Sequence, residues 1–211
     1  MRQLAAGGKQ VATARGKPRA LVHNRDREAE ILQAARAVFE QRGFDAASVA
    51  EIARRSSVAE GTIYLYCANK RDLLQKVVAR WYEQLIADAT PGLAERSGAR
   101  EKLRFFAERH LNALFENAVF GRLLVSELRS SADYPGSALY KLNARYARRL
   151  VDILREGVAA GEVQPEARLD VARDLFFGAL EHMALSGASE ASKRAGALEA
   201  FMGLFWRGIA R

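Results

Sequence analysis

The chain has 211 residues, 49% of them hydrophobic, so a sizeable core can form in one or two domains without metal or disulfide. Its net charge is +8, Cys67 is its single cysteine, and no apolar run reaches the ~18 residues of a membrane span. A disulfide framework and a spanning helix are therefore excluded, and without a signal-type apolar segment a soluble, cytoplasmic protein is expected.

The excess charge is concentrated at the start. Residues 1–25 carry six basic side chains and no acid, whereas residues 26–70 carry six basic and seven acidic ones. Residues 1–22 have no apolar periodicity and contain Pro18. They read as a flexible basic arm, either a solvated leader or a segment that touches phosphates or a minor groove.

From Asp26 the spacing of Ile31, Leu32, Ala35, Val38 and Phe39 predicts an amphipathic helix that ends at Gly43, with Phe44 folding back onto its apolar face. Ser48 and Glu51 form a Ser-x-x-Glu capping pattern that opens a short helix. A turn at Ser56–Ser57–Val58 leads to a second short helix over Thr62–Tyr66. Asn69 and Asp72 cap a long helix through Leu73, Leu74, Val77, Val78, Trp81 and Leu85, closed by Pro91 and Gly92. Further helices are expected over about 100–117, to about 130, from Pro135–Gly136 to about 160, and over about 166–186 and 190–209. No segment alternates as a strand. The chain reads as all-α, with about nine helices.

Helices as short as those over 49–66 are marginal alone and must be braced by their neighbours. Val49, Ile52, Ala53, Val58 and Ile63 supply the apolar side that packs on Val38 and Phe39. That packing leaves the hydroxyls of Thr62, Tyr64 and Tyr66 near the outer face. Such a support-and-reader pair is what a helix-turn-helix needs to meet base edges in a major groove.

Gly43–Phe44, Ile52–Ala53, Val58, Gly61–Thr62, Tyr64, Tyr66, Lys70 and Leu73–Leu74 fall at the spacing of the TetR family, whose pattern is roughly T-x-x-x-I-A-x-x-A-G-V-S-x-G-T-x-Y-x-Y-F-x-x-K-x-x-L. The chain resembles that family over residues 26–80. Three positions depart from the pattern: Ser57 stands where Gly is usual, Cys67 where an aromatic is usual, and Ala59 where Ser or Thr is usual. The run Val58–Tyr66 is similar to that of regulators responding to fatty acyl-CoA.

The resemblance implies three parts: the arm (1–22), a helix-turn-helix domain (23–70) and a helical effector-binding and dimerisation domain (71–211). It implies that Thr62, Tyr66 and Lys70 hold the phosphate backbone, that Gly61 permits close approach, and that Tyr64 and Glu60 lie nearest the bases. Ser48 stands beside them as the cap of the supporting helix. Arg54 and Arg55 read equally as phosphate neighbours or as a solvated face.

In the larger domain Phe105, Phe106, His110, Phe115, Phe120, Leu124, Tyr140, Asn143 and Tyr146 are candidates to line an effector pocket, with His110, Asn143 or Arg122 as polar anchors. Any one of them fits a plain core position as well. The expected effector is small and mainly apolar, such as a fatty acyl-CoA or another apolar metabolite. Leu175, Phe176, Met183, Phe201 and Phe205 lie among small residues on the last two helices. In the resembled family those helices form a two-fold bundle, which implies a homodimer on a palindromic double-stranded DNA operator, acting by default as a repressor.

No GxGxxG, Walker A, HExxH or nucleophile-elbow pattern occurs, and His23, His110 and His182 are far apart, so neither enzyme activity nor a cofactor or metal is expected. Cys67 fits a buried structural thiol better than a redox switch. The rival reading is a constitutive DNA-binding protein without a ligand.

Overall fold

The computed structural model describes residues 19–116, 118–186 and 191–211, with the side chains inside those ranges except at 19–25, 119–120, 125–126 and 191–193. Among the described residues there are nine α-helices and one π-helical segment, and the β-type contact is a single bridge between Val163 and Ala210. Most of the expected arm, residues 1–18, lies outside the described residues.

Helix α1 (Arg19–Ala46) begins seven residues before the expected Asp26 and takes in residues 19–22. Between Pro18 and Gly43 the sequence holds no breaker, so the helix runs on beyond its apolar stripe. Ile31, Ala35, Val38 and Phe39 are fully buried. Gly43 interrupts the helix at φ +74°, and Phe44 turns back to stack on Phe39 at 6.0 Å.

Helix α2 (Val49–Arg55) starts as its cap predicts: the Ser48 hydroxyl accepts from Glu51 N–H at 3.1 Å. It ends in a Schellman turn. Val58 N–H donates to Ala53 C=O at 3.0 Å and Ser57 N–H to Arg54 C=O at 3.3 Å. Ser57 occupies the left-handed position of that turn at φ +55°, where a glycine would be unstrained. Helix α3 (Glu60–Ile63) is a single turn, shorter and earlier than expected, and Tyr64–Tyr66 continue it as tight turns.

Helix α4 (Lys70–Ala94) opens on reciprocal caps: Asn69 accepts from Asp72 N–H at 2.9 Å, and Asp72 from Ala68 N–H at 2.8 Å. It does not close at Pro91, as its sequence predicted. A proline so near the end removes only the bond that Ala87 C=O would accept, and one more turn follows. Gly92 is needed there for space, because an added Cβ would lie 2.2 Å from the Phe105 ring.

The second layer comprises α5 (Ala99–Glu116), α6 (Ala118–Leu123), the π-segment Leu124–Arg129, α7 (Ala138–Ala159), α8 (Leu169–Leu185) and α9 (Ala191–Ile209). Its centre is aromatic: Phe106, Tyr146 and Phe176, joined by Tyr82 of α4, are essentially without solvent exposure. Burial of each such side chain contributes about 1.5–3 kcal/mol. The ends of α5 and α7 meet at Gly157, where a Cβ would lie 2.7 Å from Ala99 and Val163, and the Glu162 carboxylate accepts from Ala99 N–H at 2.8 Å.

Ser57→Gly is expected to raise stability by about 0.5–1 kcal/mol, the left-handed strain less the extra freedom of glycine in the unfolded chain. A chemical denaturation midpoint equal to or below that of the parent would remove the strain assignment.

Candidate nucleic-acid interface and ligand chamber

The helix-turn-helix stands on a buried base. Ile52, Ala53 and Ile63 point into the core, whereas Glu60, Gly61, Tyr64 and Leu65 face out. Tyr64 is 51% exposed and Leu65 81%. A Cβ on Gly61 would meet nothing within 4 Å, so that part of the edge is open to a partner's close approach. Thr62 and Tyr66 are half-buried, and Ser48 is exposed at the start of α2. Leu65 was not singled out from the sequence; alternation around it gave no sign that so apolar a side chain would stand in solvent. Arg55 is bound to Gln41 at 2.7 Å.

Three basic residues of the first two turns of α4 hold this edge in place. The Lys70 ammonium donates to Phe44 C=O at 2.7 Å, Asp45 C=O at 3.1 Å and Ala47 C=O at 3.0 Å, and lies 4.6 Å from the Phe44 ring centroid. It thus closes the end of α1. Lys76 donates to Tyr66 C=O and pairs with Glu28. Arg71, between them, reaches into the other domain and donates to Glu127 C=O at 2.5 Å. Cys67 is buried and donates to Ile63 C=O at 3.5 Å; burial pushes its thiol pKa up, and Asp72 adds to the shift. A thiol held neutral in that way is a poor redox switch.

A chamber of about 720 Å³ lies between α7 and α8. Tyr140 and Asn143 line it, as the sequence suggested. Its middle is small and apolar: Ala144, Ala147 and Gly178, with Phe177. Arg148, Arg155 and Arg173 line it as well, and its wall includes the Arg129–Glu181 pair. Arg129 donates to both Glu181 oxygens at 2.7 and 2.9 Å and to the Tyr82 hydroxyl at 3.1 Å. Burial works against the Arg129 charge, but Tyr82 and Glu181 raise its pKa above the ordinary value. Burial pushes Tyr82 up to about 12. Asn143 bridges the Tyr134 and Tyr82 hydroxyls at 2.8 and 3.2 Å.

Of the other sequence candidates, Phe106, His110 and Tyr146 form the aromatic core behind Phe177, not the chamber wall. His110 is 4% exposed, its Nδ1 lies 3.3 Å from the Tyr146 hydroxyl, and its Nε2 has no partner. Burial lowers its pKa to about 3, helped by the nearby Arg129 charge. Phe105 lies elsewhere, on Gly92 and 3.8 Å beneath the Arg96 guanidinium. Phe115 lies 4.8 Å from Arg194. Leu124 and Arg122 border a separate small pocket, and the Phe120 side chain falls outside the described residues. The arginines of α7 and α8 were missed by the sequence reading, which searched for aromatics. Their i, i+7 spacing (148, 155) was the available signal.

On α8 and α9, Leu175 is 61% exposed and Leu204 67%. Phe176, Phe201 and Phe205, expected at a dimer interface, instead pack on one another within the chain at 5.4–5.6 Å, and Met183 is half-buried. Among the described residues no helix is long and apolar enough to cross a membrane.

Two family profiles match the chain: "Bacterial regulatory proteins, tetR family" over residues 31–77 and "Tetracyclin repressor-like, C-terminal domain" over residues 96–185. The fatty acid metabolism regulator protein of Bacillus subtilis is 30% identical over 152 residues, which are 72% of this chain and 78% of that protein. The transcriptional repressor KstR2 of Mycolicibacterium smegmatis is 25% identical over 154 residues, 69% of this chain and 71% of that protein. Among solved structures, the FadR regulator from Bacillus subtilis in complex with stearoyl-CoA superposes with a TM-score of 0.76 at 26% identity, covering 86% of this chain and 98% of that one.

His110 gives a pH dependence that can be measured. Unfolded, it takes up a proton near pH 6.5; folded, it resists until about pH 3. Stability is therefore complete above pH 6.5 and falls as the pH drops through that window. Between pH 7 and 5 the loss from this residue is about 2 kcal/mol. Urea unfolding of His110→Gln is expected to show a pH 5-to-7 difference smaller by that amount, and an unchanged difference would assign the proton elsewhere.

Proposed function

The chain belongs to the TetR family of bacterial transcriptional regulators, and on that footing we propose that it is a homodimeric repressor of a palindromic operator, released by a small effector in the α7–α8 chamber. It is a regulator and not an enzyme: its relatives are named as regulators of transcription or metabolism. The observation that carries the DNA-binding reading is the exposed Glu60–Leu65 edge on a buried support.

In this reading the hydroxyls of Thr62, Tyr66 and Ser48 take phosphates, which fix register, and Gly61 admits the backbone closely. Tyr64, Glu60 and Leu65 meet the bases, and Leu65 is suited to a thymine methyl. Lys70 works from behind: its three donors are already held by carbonyls, so it sets the angle of the edge instead of taking a phosphate of its own. The chain divides functionally at α4, with the head before residue 70 and the sensing domain after it. The basic residues of 1–18 add charge that can reach flanking phosphates.

Leu175 and Leu204, large apolar side chains left in solvent on α8 and α9, support an interface between two copies on those helices. Two heads would then span half-sites about one or more DNA turns of 34–36 Å apart. The effector is an amphiphile, since the chamber joins an apolar middle to charged walls. The stearoyl-CoA of the Bacillus subtilis FadR structure supports a long-chain acyl thioester as the first candidate. Its release of DNA requires differential affinity for the two conformations.

Selection of duplexes from a random pool with the purified protein is expected to enrich an inverted repeat, and the absence of salt-dependent binding to any duplex would overturn the regulator reading. On the selected operator Tyr64→Ala is expected to change the ranking of sequences. Lys70→Met is expected to weaken all sequences at an unchanged salt slope; a slope lower by about one phosphate contact would make Lys70 a direct ligand of the backbone.

A further inference from the structure

The α7–α8 chamber is polarised along its length. The α7 row from Tyr140 to Arg155 runs about 22 Å along the helix axis. At one end stand Asn143 and the Arg129–Glu181 pair, with neutral hydroxyls from Tyr82 and Tyr134 behind them. In the middle, Ala144, Ala147 and Gly178 leave a smooth floor, and a Cβ on Gly178 would meet nothing within 4 Å. Toward the other end stand Arg148, Arg155 and Arg173, with the Asp174 carboxylate beside them.

The three arginines differ from Arg129 in how they are held. Arg155 meets Asp152 at 3.4 Å and Arg173 meets its neighbour Asp174 at 2.7 Å, both on exposed side chains. Such pairs are weak and exchange readily for a better anion. Arg148 also lines the chamber, and among the described residues no ion pair or hydrogen bond holds its guanidinium. A lone carboxylate can engage one guanidinium fork; a diphosphate presents enough oxygens and charge for several at once.

We propose that the basic end of this chamber is a binding site for a diphosphate-type head group, and that the effector is an elongated molecule with this head on Arg148, Arg155 and Arg173 and a neutral, largely apolar remainder running toward Arg129. This rests on the effector reading above and narrows it: the anion is a recognition element, and an amphiphile ending in a single carboxylate binds far less well.

Calorimetric titration of the full-length protein with inorganic pyrophosphate, and separately with ADP, tests the head site without any tail. Binding is expected for the parent, to weaken at least tenfold in the Arg148→Ala/Arg155→Ala double variant, and to be kept in Arg145→Ala, which removes an exposed α7 arginine outside the chamber. Circular dichroism checks that the double variant is folded. Equal binding by the parent and the double variant would place the anion elsewhere on this basic protein and overturn the proposal. So would absence of pyrophosphate and ADP binding together with operator release by a fatty carboxylate, an outcome that spares the effector reading. If no head group, carboxylate or acyl thioester changes operator affinity, the effector reading fails as well, and this site with it.

Discussion

The ammonium of Lys70 is the point on which the geometry of the head turns. Three backbone carbonyls from Phe44, Asp45 and Ala47 converge on it just past the Gly43 break. Phe44 and Asp45 lie between the Gly43 break and the end of α1, and Ala47 just past it, a stretch whose carbonyls need donors from elsewhere in the chain. One cation satisfies all three and fixes α1 against the first turn of α4. With α1 fixed, Val38 and Phe39 are buried in one core with Ile52 and Ile63. Neither α2, with seven residues, nor α3, with four, could persist without it. The reading edge is thus a tertiary product: its shape is set by a lysine that sits behind it.

The chamber in the second domain has the opposite character from the core beside it. Tyr82, Phe106, Tyr146 and Phe176 are buried, and the Tyr82 and Tyr146 hydroxyls are paired. A few ångströms away, small side chains on α7 and α8 keep the two helices from filling the space between them, and arginines line it. A protein optimised only for stability would fill that groove with leucine. Its open space and its charge occur together, which is what a site for a polar-headed ligand requires.

The head was legible in the sequence because its constraints are local. A capping serine, a turn, a Gly-Thr and a capped long helix each state their own backbone conformation, and the structure places Ser48, Ser57 and Asn69 in those roles. Ser57, which stands where glycine is usual, has φ +55°. Lys70 was legible as an important residue but not as a brace, since its three acceptors lie 23–26 residues away. The chamber was less legible. Aromatic residues mark a core and a pocket alike, so Phe105 and Phe106, adjacent in sequence, go to different places. What distinguishes the chamber is the matching of small residues on α7 with Gly178 on α8, a long-range pairing that helical periodicity does not encode. The exposed face of α8 follows the same rule: neighbouring Leu175 and Phe176 point to solvent and to the core.

Chamber and head are joined by a short physical path. Arg129 binds Glu181 at the chamber wall, and Glu127, two residues earlier in the same π-segment, holds Arg71 through its backbone carbonyl. Arg71 adjoins Lys70, which fixes the end of α1. The steps are hydrogen-bonded contacts and short stretches of backbone, and the π-segment lies in the middle. π turns are rare inside helices and are frequently found at functional sites. A group that altered the hold of Glu181 on Arg129 would act on that segment, and through Glu127 on α4. The size of the response would be limited to the difference between the ligand's affinities for the two arrangements, so coupling of 1–3 kcal/mol, about 5–150-fold in operator affinity, is the range available. On the proposed reading the same path runs in reverse: an operator that fixed α4 through Lys70 and Arg71 would change effector affinity by an equal factor.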